Sequence, residues 1–113
     1  MVSLPLNTFK NVPFDVTTTP QTVYTTPLGI TSIVLMAQVS NVTATATTVT
    51  FVHYSFRLAR TTRIVKDMIV PPRDSRILLG GKLVMETGDQ ILVSAGDDSA
   101  LEFIASVLET ANQ

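Results

Sequence analysis

Apolar and polar positions alternate along most of this chain with the period of strands. Between Thr47 and Leu58, Val49, Phe51 and His53 share one parity, and Val52, Tyr54, Phe56 and Leu58 the other. A period of two sends successive side chains to opposite faces of a sheet. The larger apolar face switches partway, which predicts a twist or bulge. In a strand over Leu101 to Leu108, Leu101, Phe103, Ala105 and Val107 line one side. Ile30 to Val39 is nearly continuous in apolar residues, the pattern of a central strand. No stretch holds a 3.6-residue apolar period.

Turn residues punctuate these segments. Pro27-Leu28-Gly29 ends a short strand over Thr22 to Thr25, with Pro27 presetting φ and Gly29 free to take a positive one. Asn41 to Thr45 reads as a polar turn. Thr61 to Val70 is the partner of the preceding strand, with Arg60 to Arg63 as the turn or its flank, and Pro71-Pro72 stops it. Short strands follow at Arg76 to Leu79, Leu83 to Met85 and Ile91 to Ala95, separated by Gly80-Gly81 and Gly88-Asp89. Gly96-Asp97-Asp98-Ser99 is the last turn. Seven to nine short strands predict an all-β fold, a single antiparallel β-sandwich of jelly-roll or Ig-like type. Residues 1–20, interrupted by Pro5, Pro13 and Pro20, predict an extended N-terminal arm. Val12 to Val16 adds an edge strand, where Pro13 is tolerated. Residues 21–113 form the sandwich domain.

Composition narrows the picture. A chain of 113 residues allows one domain. Only 15% of residues are charged against 45% hydrophobic, so much of the surface is uncharged. An extensive contact surface explains this, and so does a Thr-rich surface solvated through its hydroxyls; composition leaves both open. A net charge of −1 predicts no general attraction to nucleic acid or membrane. The absence of cysteine excludes disulfides and thiolate metal sites. The first residues lack a basic and long apolar leader pattern, and Ile33 to Ala37 is too short to span a bilayer. Synthesis in a cytoplasm is the expectation.

Candidate chemistry is sparse. His53 is the sole histidine, and no serine lies in a G-x-S-x-G elbow, so no catalytic residue is assigned. One histidine and no cysteine do not make a zinc site. Asp89, Asp97 and Asp98 lack the alternating ligands of a calcium loop and read as turn residues. Gly80-Gly81-Lys82 lacks the upstream glycine of a phosphate loop, and Asn41-Val42-Thr43 reads as a polar turn. No cofactor is expected.

The charges are unevenly placed. Arg57, Arg60, Arg63, Lys66, Arg73, Arg76 and Lys82 are seven of the eight basic residues, and none follows Lys82. The last third is acidic, with Glu86, Asp89, Asp97, Asp98, Glu102 and Glu109. Unlike edges allow head-to-tail packing between subunits, and they also allow pairing within one. The absence of a stacking-aromatic motif speaks against specific nucleic-acid binding. Leu4, Leu6, Phe9 and Phe14 give the arm apolar side chains for covering its own sandwich or reaching a neighbour.

The ordered set Thr22-Val23-Tyr24-Thr25-Thr26-Pro27-Leu28-Gly29-Ile30-Thr31-Ser32-Ile33-Val34-Leu35, Val39-Ser40-Asn41-Val42-Thr43, Ile69-Val70-Pro71-Pro72, Gly81-Lys82-Leu83-Val84-Met85-Glu86-Thr87-Gly88-Asp89-Gln90-Ile91 and Ser106-Val107-Leu108-Glu109 resembles small β-sandwich virion structural proteins of tailed phages. Leu6-Asn7-Thr8-Phe9-Lys10 is similar to the start of such proteins in phages of marine cyanobacteria. The resemblance spans nearly the whole chain. It implies a non-enzymatic virion protein, made in the host cytoplasm and homo-oligomeric. The expected role is a capsid decoration or cement subunit bound to the major capsid protein. The alternatives are a tail, neck, baseplate or fibre-attachment subunit, and a host-surface glycan-binding module. The arm's Phe9 and Phe14 are the expected anchors. Arg60, Arg63, Arg73 and Arg76, in a segment that departs from the family pattern, are the expected charged contacts.

Overall fold

A computed structural model describes residues 7–112. Nine strands and no helix are found among them: β1 (Asn7–Asp15), β2 (Gln21–Thr25), β3 (Ile30–Asn41), β4 (Thr47–Ser55), β5 (Arg60–Val70), β6 (Ser75–Ile77), β7 (Leu83–Met85), β8 (Gln90–Ala95) and β9 (Leu101–Ala111). They form two antiparallel sheets. Sheet A has the order β1-β9-β3-β6, with β7 also paired to β3; sheet B has the order β2-β8-β4-β5. The fold is the antiparallel β-sandwich that the alternation predicts.

The core lies between the sheets. Val34, Ala37 and Val39 of β3 and Phe103, Ala105 and Val107 of β9 meet Val49 and Phe51 of β4 and Ile91 and Val93 of β8, all buried. Phe51 and Phe103 bridge the layers, with ring centroids 5.7 Å apart. Offset or tilted aromatic pairs add to the burial of their area.

Bulges explain where the alternation slips. The β3–β9 register shifts between Val34 and Met36. Val34 and Ala37, three apart, therefore both point inward. The β4–β5 register shifts between Val49 and Phe51 and again between Phe51 and Val52. Opposite these shifts Asp67 sits at φ 50. Thr50 Oγ1 holds it, donating to Oδ1 at 3.2 Å and accepting from the Asp67 amide at 3.1 Å. The β4–β5 turn falls at Phe56 to Ala59, and Arg60 to Arg63 belong to the strand.

The stretch predicted as an arm holds β1, an edge strand paired with β9 from Asn7↔Thr110 to Asp15↔Glu102. Pro13 sits on this edge, where its missing donor costs no ladder bond. Leu4 and Leu6 lie outside the described residues. The molecule is elongated, 54 × 26 × 22 Å. One end, the hairpin end, carries the β4–β5 turn, Pro27 to Gly29, Glu86 to Asp89, Asn7 and Asn112. The opposite end carries Asp15, Asn41 to Ala46, Pro71 to Asp74 and Gly96 to Ser99.

Candidate functional site: two outer faces

The two sheets present different faces to solvent. On sheet A the outward residues form rows across the strands. Phe9 of β1 faces Leu108 of β9, Leu108 faces Ile33 of β3, and Ile33 faces Val84 of β7. One row therefore carries four large apolar side chains over four strands. A second runs Pro13, Ile104, Gln38, Ile77. Phe9 and Ile77 are each 73% exposed and Val84 59%. Met36, exposed, lies between the rows opposite Ser106. Leu108 and Ile33 are half-buried between the exposed ends of their row, and apolar surface of this kind makes the face a candidate interaction surface.

The outer face of sheet B is concave and mostly polar, with Ile69 of β5 exposed at its edge beside Thr48. A groove of 780 Å³ runs over it, floored by Thr48, Thr50, Val52, Tyr54, Leu92 and Ser94 and walled by Thr61, Arg63, Lys66 and Asp67 of β5. Lys66 pairs with Asp67 at 3.2 Å.

The six residues expected to make contacts are spread over the molecule. Phe9 lies on the outer face of sheet A. Phe14 turns inward and packs half-buried against the core beside Phe103. Arg60 and Arg63 lie on β5 towards the hairpin end, opposite Ser55 and Val52. Arg73 is at the opposite end, its amide donating to Thr43 O at 3.2 Å. Arg76 is in β6 and pairs with Asp74 at 2.8 Å. Among the described residues Arg60, Arg63 and Arg73 have no ion-pair partner. The basic segment meets the acidic third once, at Arg57–Glu86, 3.2 Å and exposed. Pairing within the subunit leaves most of the charge asymmetry in place.

Two buried carboxylates hold the hairpin end. Asp89, 2% exposed, accepts from the Phe56 amide at 3.0 Å through Oδ1 and from the Glu86 amide at 2.9 Å through Oδ2. His53 Nε2 lies 3.0 Å from the same Oδ2. A carboxylate only accepts, so Nε2 carries the proton. Both oxygens are engaged in fixing two turns, a structural use of the pair. Gly88 at φ 85 completes this corner, because a Cβ there would meet the Phe56 ring at 2.9 Å.

Glu109, 8% exposed, reaches between the sheets. It accepts from the Tyr24 hydroxyl of β2 and pairs with Lys10 of β1 at 3.0 Å. Ser32 Oγ is 2.7 Å from the same hydroxyl. Burial raises the Glu109 carboxyl, but the Tyr24 hydroxyl and the Lys10 ammonium outweigh it and hold it below its ordinary value. Burial first, then the bond to Glu109, pushes the Tyr24 phenol well above its own.

The fold has counterparts. A protein from the disulfide-linked pili of Bacillus endospore appendages superposes with TM-score 0.57 and 14% identity, over 95% of this chain and 88% of that one. A chain of infectious bursal disease virus, strain Gx, superposes at 0.56 and 9%, over 95% of this chain. The likeness is one of fold. This chain spans about a third of that viral chain, 32%. A pentameric capsid protein from metagenomic phage sequences aligns more loosely, at 0.42 and 18% identity over 89% of this chain and 60% of that one. No protein-family model and no curated protein matches the sequence.

Sequence reasoning named Phe9 but missed Leu108, Ile33, Val84, Ile104 and Ile77. The available signal was parity: Ile104 and Leu108 alternate with the core residues of β9 and are apolar nonetheless.

Proposed function

We propose that this chain is a structural subunit of a phage virion, a capsid decoration or cement protein that lays the outer face of sheet A across neighbouring subunits. The observation that carries this reading is the row Phe9, Leu108, Ile33, Val84, with Ile104 and Ile77 beside it. Removing apolar surface from water contributes roughly 25 cal/mol per Å², reduced by the cost of association. A subunit bound across a junction stabilises the joined state as any ligand stabilises the state it binds. The phage resemblance over Thr22 to Glu109 supports the virion setting.

Quantitative mass spectrometry of purified virions tests this reading. A copy number near that of the major capsid protein is expected. A handful of copies per particle moves the subunit to the tail, neck, baseplate or fibre attachment. Absence from the virion overturns the structural role. The groove of sheet B favours a second reading, a host-surface glycan-binding module, because hydroxyls, Tyr54 and the guanidinium of Arg63 converge there. A glycan array without hits removes it.

A further inference from the structure

We infer that copies of this chain associate head to tail along the long axis, the hairpin end of one against the opposite end of the next. The inference rests on reading the chain as an assembly subunit and adds the partner: a second copy. At the hairpin end Leu28, Phe56 and Leu58 are 91%, 65% and 58% exposed. Arg57 and Arg60 flank them and Arg63 follows, against one exposed side-chain carboxylate among the described residues, that of Glu86. At the opposite end Asp15, Asp74, Asp97, Asp98 and Glu102 are all exposed, against Arg73 and Arg76. Val42, 52% exposed, gives that end its own apolar contact.

The ends lie on a 54 Å axis. At physiological salt the screening length is about 8 Å, so they do not neutralise each other within one molecule. Across an interface they meet at contact distance. Like ends repel and unlike ends attract, which favours a heterologous contact over a two-fold one. Such a contact repeats, closing into a ring or extending as a row.

Sedimentation equilibrium of the purified full chain tests this. Species larger than a dimer are expected at low salt, dissociating as salt rises to about 0.5 M. Arg60→Glu and Glu102→Lys change exposed side chains outside any ion pair described, so circular dichroism and Tm should be unchanged. Each variant alone should associate at least about tenfold more weakly. Mixed, the two should associate again, because the charge reversed on one meets the charge reversed on the other. A wild type monomeric throughout, a mass that stops at two copies, or variants that associate like wild type would each overturn the inference. The readout is separate from the virion test: a chain found in virions but monomeric in solution overturns only the head-to-tail contact, and an associating chain absent from virions overturns only the virion role.

Discussion

The two outer faces of the sandwich are built from the same kind of strand and differ in how much apolar surface they present. Both sheets bury one parity of their residues. On sheet B the other parity is mostly polar, with Thr48, Thr50, Tyr54, Gln90 and Ser94 solvated through hydroxyls and amides and Val52, Leu92 and exposed Ile69 among them. On sheet A it includes Phe9, Met36, Ile77, Val84 and Ile104, all exposed and poorly solvated, with half-buried Ile33 and Leu108 and polar Asn11, Gln38 and Ser106 among them. The fold needs only one apolar face per sheet, so the polar face of sheet B is what folding alone requires. The apolar face of sheet A exceeds that requirement. Its contribution is expected in assembly and not in the stability of the isolated subunit.

Substitutions separate the two contributions. The largest effect should come from Asp89→Ala, which belongs to neither face. It strips two amides and His53 of a buried acceptor, and a loss of about 3 kcal/mol or more is expected in urea unfolding. Both faces should fail together, which sets the pattern of global damage.

Phe9→Asp and Ile77→Asp should behave differently. Stability should stay within about 0.5 kcal/mol, because both side chains are exposed. Binding to particles lacking the subunit should weaken by about 2 kcal/mol, roughly thirtyfold, the scale of a central interface residue. Unchanged binding would remove sheet A as the docking face.

Glu109→Gln tests the link between the sheets, at about 1–2 kcal/mol in neutral solution. Its pH dependence has a definite sign. The Glu109 pKa is depressed on folding, so its contribution is present above the free value of 4.5 and is lost as pH falls through the folded one. The Tyr24 pKa is raised, so its contribution is complete below the free value of 10.0 and is lost as pH rises beyond it. Wild type should lose stability at both limits, and Glu109→Gln should flatten the acid limb. The smallest effect is expected from Arg63→Ala in the groove of sheet B. Particle binding should change by less than about twofold, since a rim or uninvolved charge contributes little. A large loss there would reverse the assignment of the faces.

Most of the fold was legible because β-branched residues alternate and Gly or Pro marks most of the turns, those at Val42 to Ala46 and Phe56 to Ala59 excepted. The details that escaped depend on bulges. The continuous run Ile33 to Ala37 reads as a strand covered on both faces, yet sheet A is covered by protein on one face only. A register shift at Leu35 and an apolar outer face together produce the run. β1 was harder to bound, because its inward and outward residues, Phe14 and Phe9, are equally apolar. Only the register with Phe103 and Leu108 distinguishes them. The role of Asp89 was invisible, since its partners Phe56 and His53 are more than thirty residues away in the chain. Charge position was legible only as a bias along the sequence, until the strand order set its two ends apart.

The position of β9 has a consequence for folding. β9 is the last strand described, and it lies in sheet A between β1, the first, and β3. Contacts between such distant segments form late, because the chain must close long loops to make them. Until Leu101 to Ala111 docks, sheet A lacks both the outer row through Leu108 and the inner partners Phe103 and Val107, and the edge of β3 stands open. The inner core and the outer row of this sheet are therefore completed by a single pairing event.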